Sequence, residues 1–160
     1  MKIILGLGNP GVEYANTRHN AGVSFVGKLA SLSVDQSSYG WRREKNKMVF
    51  KTDKFTLIKT ATVFMNESGN LISKLDYLAH DDLDLKLGQY KIQKGVGPKV
   101  HNGVLSVENT LKTKDFWRIR IGIDNRTTPI DGETYVLQKF PPDERKILDG
   151  VFEKICNEFV

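Results

Sequence analysis

Apolar residues fall along this chain in two rhythms. Residues 2–7 (KIILGL) form an unbroken apolar run ending in glycines, which predicts a buried, central, parallel strand. The Gly-, Asn-, Pro- and Thr-rich stretch 8–18 predicts a loop. Between Asn20 and Leu32, residues Val23, Phe25, Val26, Leu29 and Leu32 recur at helical spacing. Ser33 to Ser38 reads as a polar connection, and residues 48–52 and 55–60 predict a hairpin around Asp53-Lys54. A helix is expected over 67–75, with Leu71, Ile72 and Leu75 on one face. Strands are expected at 76–81 and 87–93, with a turn through DDLDL between them. Gly95 to Gly103, punctuated by Pro98, predicts a loop, and His101 to Leu111 a helix with Asn102 near its start. Residues 116–123 (FWRIRIGI) alternate as a half-buried strand does, and 135–140 (YVLQKF) suggest a further strand. Pro142 and Asp143 open a last helix reaching about Glu158, with an apolar stripe of Ile147, Leu148, Val151, Phe152, Ile155 and Phe159. Cys156 belongs in or beside that stripe as a small hydrophobe.

Strands and helices alternate without repeats or low-complexity tracts. The expected fold is therefore α/β: a single three-layer domain over residues 1–160, with a mixed twisted sheet flanked by helices. In such sheets ligands gather at the carboxyl ends of strands, and the polar motifs follow predicted strands or begin predicted helices. The apolar runs are too short for a membrane span, and residues 1–6 for a signal-peptide core. One cysteine cannot form an internal disulfide, which favours a reducing cytoplasm. The net charge of +5 is compatible with a polyanionic partner, although a basic balance alone locates no patch.

Five motifs carry candidate chemistry. Gly6-Leu7-Gly8-Asn9-Pro10-Gly11 satisfies a dinucleotide fingerprint, but a loop, not a helix, follows it. Its glycines fit better with a sharp turn that brings backbone close to a ligand. Tyr14 and Thr17-Arg18-His19-Asn20 offer an imidazole able to take a proton near neutral pH. In Phe64-Met65-Asn66-Glu67-Ser68-Gly69, Met65 reads by default as core and Asn66 as a helix cap. His80-Asp81-Asp82-Leu83-Asp84-Leu85 lacks the glycine of a calcium loop and the spacing of zinc ligands. A carboxylate that orients a histidine is the better reading there. Gly95 to Gly103, with Lys91, Lys94, Lys99, Arg118 and Arg120, is either a phosphate site or a solvated basic face.

Taken in order, these segments closely resemble bacterial-type peptidyl-tRNA hydrolase. The matching stretches are GLGNPGVEYANTRHNAG (6–22), FMNESG (64–69), HDDLDL (80–85), HNG (101–103) and RIRIGI (118–123), with YVL (135–137) as a weaker echo. They span most of the chain, and the first is long and specific. The resemblance implies a monomeric α/β enzyme without metal or other cofactor. It would hydrolyse the ester between a peptide and the 3′ end of tRNA, recycling peptidyl-tRNA that leaves the ribosome early. It further implies His19 as catalytic base and Asp81 as the acid that orients it. Asn9 and Asn66 would hold the peptide and scissile region, and Asn102 would position water or the ester. Tyr14 and Met65 would wall the cleft, and Arg120 would contact tRNA phosphate. Two rival readings are an RNA-binding relative without hydrolysis and a hydrolase of small esters or peptides.

The chain departs from the family pattern at several points. Thr60 stands where proline is usual before the FMN segment, and the stretch between Asn66 and Asp81 is shorter than in typical members. That shortening bears directly on how Asp81 meets His19. Pro98-Lys99-Val100 replaces a loop that usually carries small glycines, and Val100 adds bulk. Gln93 occupies a common lysine position, so Lys94 or Lys91 is expected to substitute. Asp124-Asn125-Arg126 replaces a glycine-rich end after RIGI, which points to a different lid over the cleft.

Overall fold

The computed structural model describes residues 1–33 and 40–160. All of the predicted polar connection after Ser33 lies outside the described residues. The strands are β1 (Lys2–Gly6), β2 (Arg42–Glu44), β3 (Lys47–Lys51), β4 (Phe55–Thr60), β5 (Tyr77–Lys86), β6 (Tyr90–Lys94) and β7 (Trp117–Asp124). They form one sheet in the order β2-β3-β4-β1-β5-β7-β6. β1 lies at its centre, parallel to β4 and β5, as its unbroken apolar run predicts. β5 and β7 are also parallel, whereas the two edges are antiparallel. The expected mixed α/β architecture is present.

Strand alternation feeds two separate cores. Ile4, Leu57, Ala79 and Ile119 face α1 (Ala21–Leu32) and α4 (Pro142–Asn157), meeting Phe25, Leu29, Leu148 and Phe152. Leu5, Ile58 and Leu78 face the other way, toward Met65, Leu71 and the Val104 and Val107 pair of α2 (Asn102–Leu111). The period-2 pattern thus builds both layers from each strand. Cys156 is fully buried in the α4 stripe, and burial pushes its thiol up to about 11. Ile147, in contrast, is turned to solvent. Among the described residues no helix is long and apolar enough to cross a membrane.

Three local expectations differ, and one strand was not expected. Residues 67–75 do not form an α-helix; a kinked 3-10 segment runs from Met65 to Leu71, broken at Glu67. Ser68, Gly69 and Asn70 are weak helix formers, and Ser68 bonds its hydroxyl back to the Met65 carbonyl. The DDLDL stretch is strand, not turn, because each carboxylate finds a partner: Asp81 the histidines, Asp82 Arg120 and Asp84 the backbone N–H of Lys99. Residues 135–140 contain no strand; α3 (Gly132–Leu137) begins where the Asp131 side chain caps the N–H of Thr134. The short β2 carries no apolar alternation and escaped the pattern altogether.

Candidate functional site

Helix α1 starts at the carboxyl end of β1 and against Ala79 of β5. A Cβ on Gly22 would strike the Ala79 carbonyl, and one on Gly6 would strike Gly22, so the glycines bring helix and strands into backbone contact. This packing, rather than a ligand, accounts for the first glycine of the fingerprint. It also fixes the site. His19 lies just before the contact in α1, and Asp81 lies just beyond it in β5.

The two side chains meet. Nδ1 of His19 lies 2.8 Å from Oδ2 of Asp81, despite the shortened segment between Asn66 and Asp81. The turn carrying His19 is clamped from behind by buried Arg18. Its guanidinium donates to Gln138 and Glu144 at 3.0 Å each and lies 4.0 Å over the Tyr135 ring. No role for Arg18 was visible in the sequence, since its partners lie more than a hundred residues away.

A second histidine completes the cluster. Nε2 of His101 lies 2.8 Å from the other oxygen of Asp81. Nδ1 of His101 accepts the backbone N–H groups of Gly103 and Val104, capping α2. A nitrogen that accepts two N–H groups carries no proton, so the proton of neutral His101 is on Nε2, aimed at Asp81. His19, Asp81 and His101 are spaced closely enough to hold a metal ion. Coordination through Nε2 would leave His101 without its ring proton, so this donor set fits hydrogen bonding and not a metal. His101 was passed over in the sequence because its neighbour Asn102 fitted the start of a helix.

These contacts set the charges. Burial, the largest influence on Asp81, favours the neutral acid, but the two histidines outweigh it and hold the carboxyl well below its usual range. Burial also opposes charge on His19, yet the charge and hydrogen bond of Asp81 prevail, and its pKa rises. With Nδ1–H donating to Asp81, Nε2 of His19 has no hydrogen-bond partner among the described residues. It borders a cleft of about 310 Å³ lined also by Leu83, Val100, Asn102, Glu133 and Val136.

The other predicted residues are distributed around this centre. The Asn9 backbone is held at both ends by the Asn20 side chain, and its own Oδ1 accepts from Met65 N–H at 2.7 Å. With its oxygen occupied, Asn9 has only amide donors left to offer. Met65 is a buried wall, its sulfur set against Gly103, where a Cβ would crowd it. That packing brings together the chain segments carrying Asn66 and Asn102. Asn66 is exposed inside the 3-10 segment and caps nothing; Asn102 is exposed and lines the cleft. Tyr14 meets Phe64 edge-on at 6.1 Å, and Phe64 is half exposed. Phe64 is a further aromatic the sequence did not single out.

Arg118 and Arg120 are buried, contrary to a half-buried strand with a solvated basic face. Arg118 pairs with Glu108 at 2.9 Å. Arg120 donates to Asp82 at 2.7 Å and to Gln93 at 2.8 Å. Gln93 accepts where a lysine would repel, so its departure from the family pattern and the inward lie of Arg120 go together. Two nitrogens of Arg120 are thus engaged within the protein. Lys94 is half exposed and 3.4 Å from Asp115.

An α/β sheet with an imidazole at a cleft, its Nδ1 held by a buried carboxylate, is an arrangement suited to general-base chemistry. The family model described as Peptidyl-tRNA hydrolase matches residues 3–160. The chain is 36% identical to "Peptidyl-tRNA hydrolase" of Fervidobacterium nodosum over 99% of this chain and 86% of that one. It is 37% identical to the enzyme of the same name from Coxiella burnetii, over 99% and 96%. The crystal structure of peptidyl-tRNA hydrolase from Acinetobacter baumannii superposes with a TM-score of 0.83 at 29% identity, covering 98% of this chain and 85% of that one. This chain belongs to the peptidyl-tRNA hydrolase family, whose activity is hydrolysis of peptidyl-tRNA.

Proposed function

We propose that His19 is the general base of this hydrolysis and that Asp81 orients it. The 2.8 Å contact between Nδ1 of His19 and Asp81, which leaves Nε2 open at the cleft, carries this reading. Water attacks the ester carbonyl carbon while Nε2 takes its proton. The carbonyl oxygen becomes an oxyanion, the bond to the ribose 3′-oxygen breaks, and the imidazolium returns the proton to that oxygen. General-base assistance of this kind is worth about 10²–10⁴ in rate.

Asn9, Asn66 and Asn102 supply amides for the peptide main chain and the scissile region. Amides read main chain without reading side chains, which suits an enzyme that must accept any peptide. Asn9, with its oxygen engaged, acts as a donor toward the carbonyl or the oxyanion. Tyr14 and Met65 wall the cleft, and Phe64 gives Tyr14 a partner against which a terminal base can stack. Lys94 and Lys99, exposed beside the glycine loop, meet tRNA phosphate, while Arg120 supports the strand beneath them. The enzyme works as a cytoplasmic monomer that recycles peptidyl-tRNA released from ribosomes.

The test is purified protein assayed on an N-blocked aminoacyl-tRNA and on the matching simple ester. Release from tRNA alone supports the reading. Equal turnover of both favours a general esterase, and binding of tRNA without release favours an RNA-binding relative.

A further inference from the structure

The cap of α2 and the catalytic carboxylate share one side chain. We propose that His101 is a positioning residue for catalysis: the first N–H groups of α2 fix its tautomer, which makes it an obligate donor to Asp81 and so controls how strongly Asp81 acts on His19. This inference rests on the assignment of His19 and Asp81 given above.

Three observations carry it. The Nδ1 of His101 is occupied by Gly103 and Val104 N–H groups at 3.1 and 3.2 Å. Its Nε2 contacts Asp81 at 2.8 Å, the same length as the His19 contact on the other oxygen. Its side chain borders the cleft but is only 4% exposed and has both ring nitrogens engaged, so it reaches the reaction through Asp81. Each carboxylate oxygen thus has one imidazole donor. Asp81 cannot rotate without breaking one bond, and its charge is shared between two rings.

The groups facing His19 are few. Asp81 approaches from β5, and His101 lies beside it with ring centres 5.0 Å apart. Glu133 of α3 lines the same cleft. Arg18, next in sequence, is engaged by Glu144 and Gln138. His80 lies behind His101, and burial, reinforced by the neighbouring His101, brings its pKa down to about 3, so it stays neutral through the working range. Loss of the His101 donor would concentrate the charge of Asp81 on His19. The pKa of His19 would then rise further, and less of the neutral base would be present at pH 7.

Two substitutions separate the two bonds of this ring. An asparagine oxygen takes the place of Nδ1, so His101→Asn keeps the cap and loses the donor to Asp81. A glutamine nitrogen takes the place of Nε2, so His101→Gln keeps the donor and loses the cap. The measurements are hydrolysis of N-acetyl-aminoacyl-tRNA against pH, titration of the His19 ring by NMR, and the melting temperature. For His101→Asn we expect a near-normal melting temperature and an unchanged KM. Its kcat should fall about tenfold to a hundredfold, with the acid limb and the His19 titration moved to higher pH. For His101→Gln we expect a lower melting temperature with most of kcat retained. Normal kcat and an unmoved acid limb in His101→Asn would overturn the proposal, as would His101→Gln proving the slower of the two. Those results require an active wild type; if the wild type released no amino acid from tRNA, the functional reading itself would fail.

Discussion

Asp81 and Asp82 are adjacent on β5, both buried, yet alternation sends them to opposite faces and their environments push them apart. Asp81 accepts from two imidazoles and is held ionised. Asp82 is pushed up by burial, partly offset by the Arg120 guanidinium and the N–H of Asp84. One carboxylate acts on a side chain that reaches the cleft; the other closes an internal ion pair. The sequence DD conveys neither role, because the partner decides it: His19 and His101 for Asp81, Arg120 for Asp82.

Breaking the Asp81 side should have the largest effect. In Asp81→Asn, His101 still has to donate, so it claims the new amide oxygen and leaves the NH₂ group facing His19. His19 then accepts at Nδ1 and carries its proton on Nε2, the wrong tautomer for a base. We expect kcat for N-blocked aminoacyl-tRNA to fall by about 10²–10⁴ with little change in folding. His19→Ala should lower turnover at least about a hundredfold while tRNA affinity is kept; near-normal turnover would remove the base assignment.

The Asp82 side should behave in the opposite way. Arg120→Met leaves a buried carboxylate without its partner, and denaturant unfolding should register a loss of about 3–5 kcal/mol. Under conditions where that variant stays folded, its salt dependence of tRNA binding should match wild type, because the guanidinium faces Asp82 and Gln93. A flatter slope would return Arg120 to the phosphate site.

The last prediction concerns acid stability, where the change is spread over several pH units. His80 precedes the pair, is fully buried, and its Nε2 has no hydrogen-bond partner among the described residues. Its folded pKa of about 3 lies below the unfolded value of about 6.5. The unfolded chain therefore binds the proton first, and stability falls as pH drops from about 6.5 toward 3, by up to about 1.4 kcal/mol per pH unit. His80→Phe should flatten that slope in pH-dependent denaturation. His19 has the opposite sign: its raised pKa stabilises the fold at low pH, and that contribution is lost as pH rises through the folded value.

Much of this was legible beforehand. The β1 run, the α1 and α4 stripes and the β3–β4 hairpin follow from periodicity alone. His19 and Asp81 were readable from their motifs. What escaped depended on partners remote in sequence. The apolar residues of 135–140 suggested a strand, but Asp131 caps α3 and Tyr135 anchors it by accepting from Asn125 N–H and donating to the Ile123 carbonyl. DDLDL looked too charged for a strand until each acid met its donor. His101 was hidden behind Asn102 because a histidine cap is an uncommon choice where Ser, Thr, Asp or Asn is preferred.

Asp81 outweighs burial in setting the charge of His19. The direct test is the ring titration of His19 in wild type and in Asp81→Asn. Wild type should titrate above about 6.5, with the acid limb of kcat/KM at the same pH. Asp81→Asn removes the charge and leaves burial in place, so its His19 should titrate below that value. The same titration midpoint in both proteins would contradict the account.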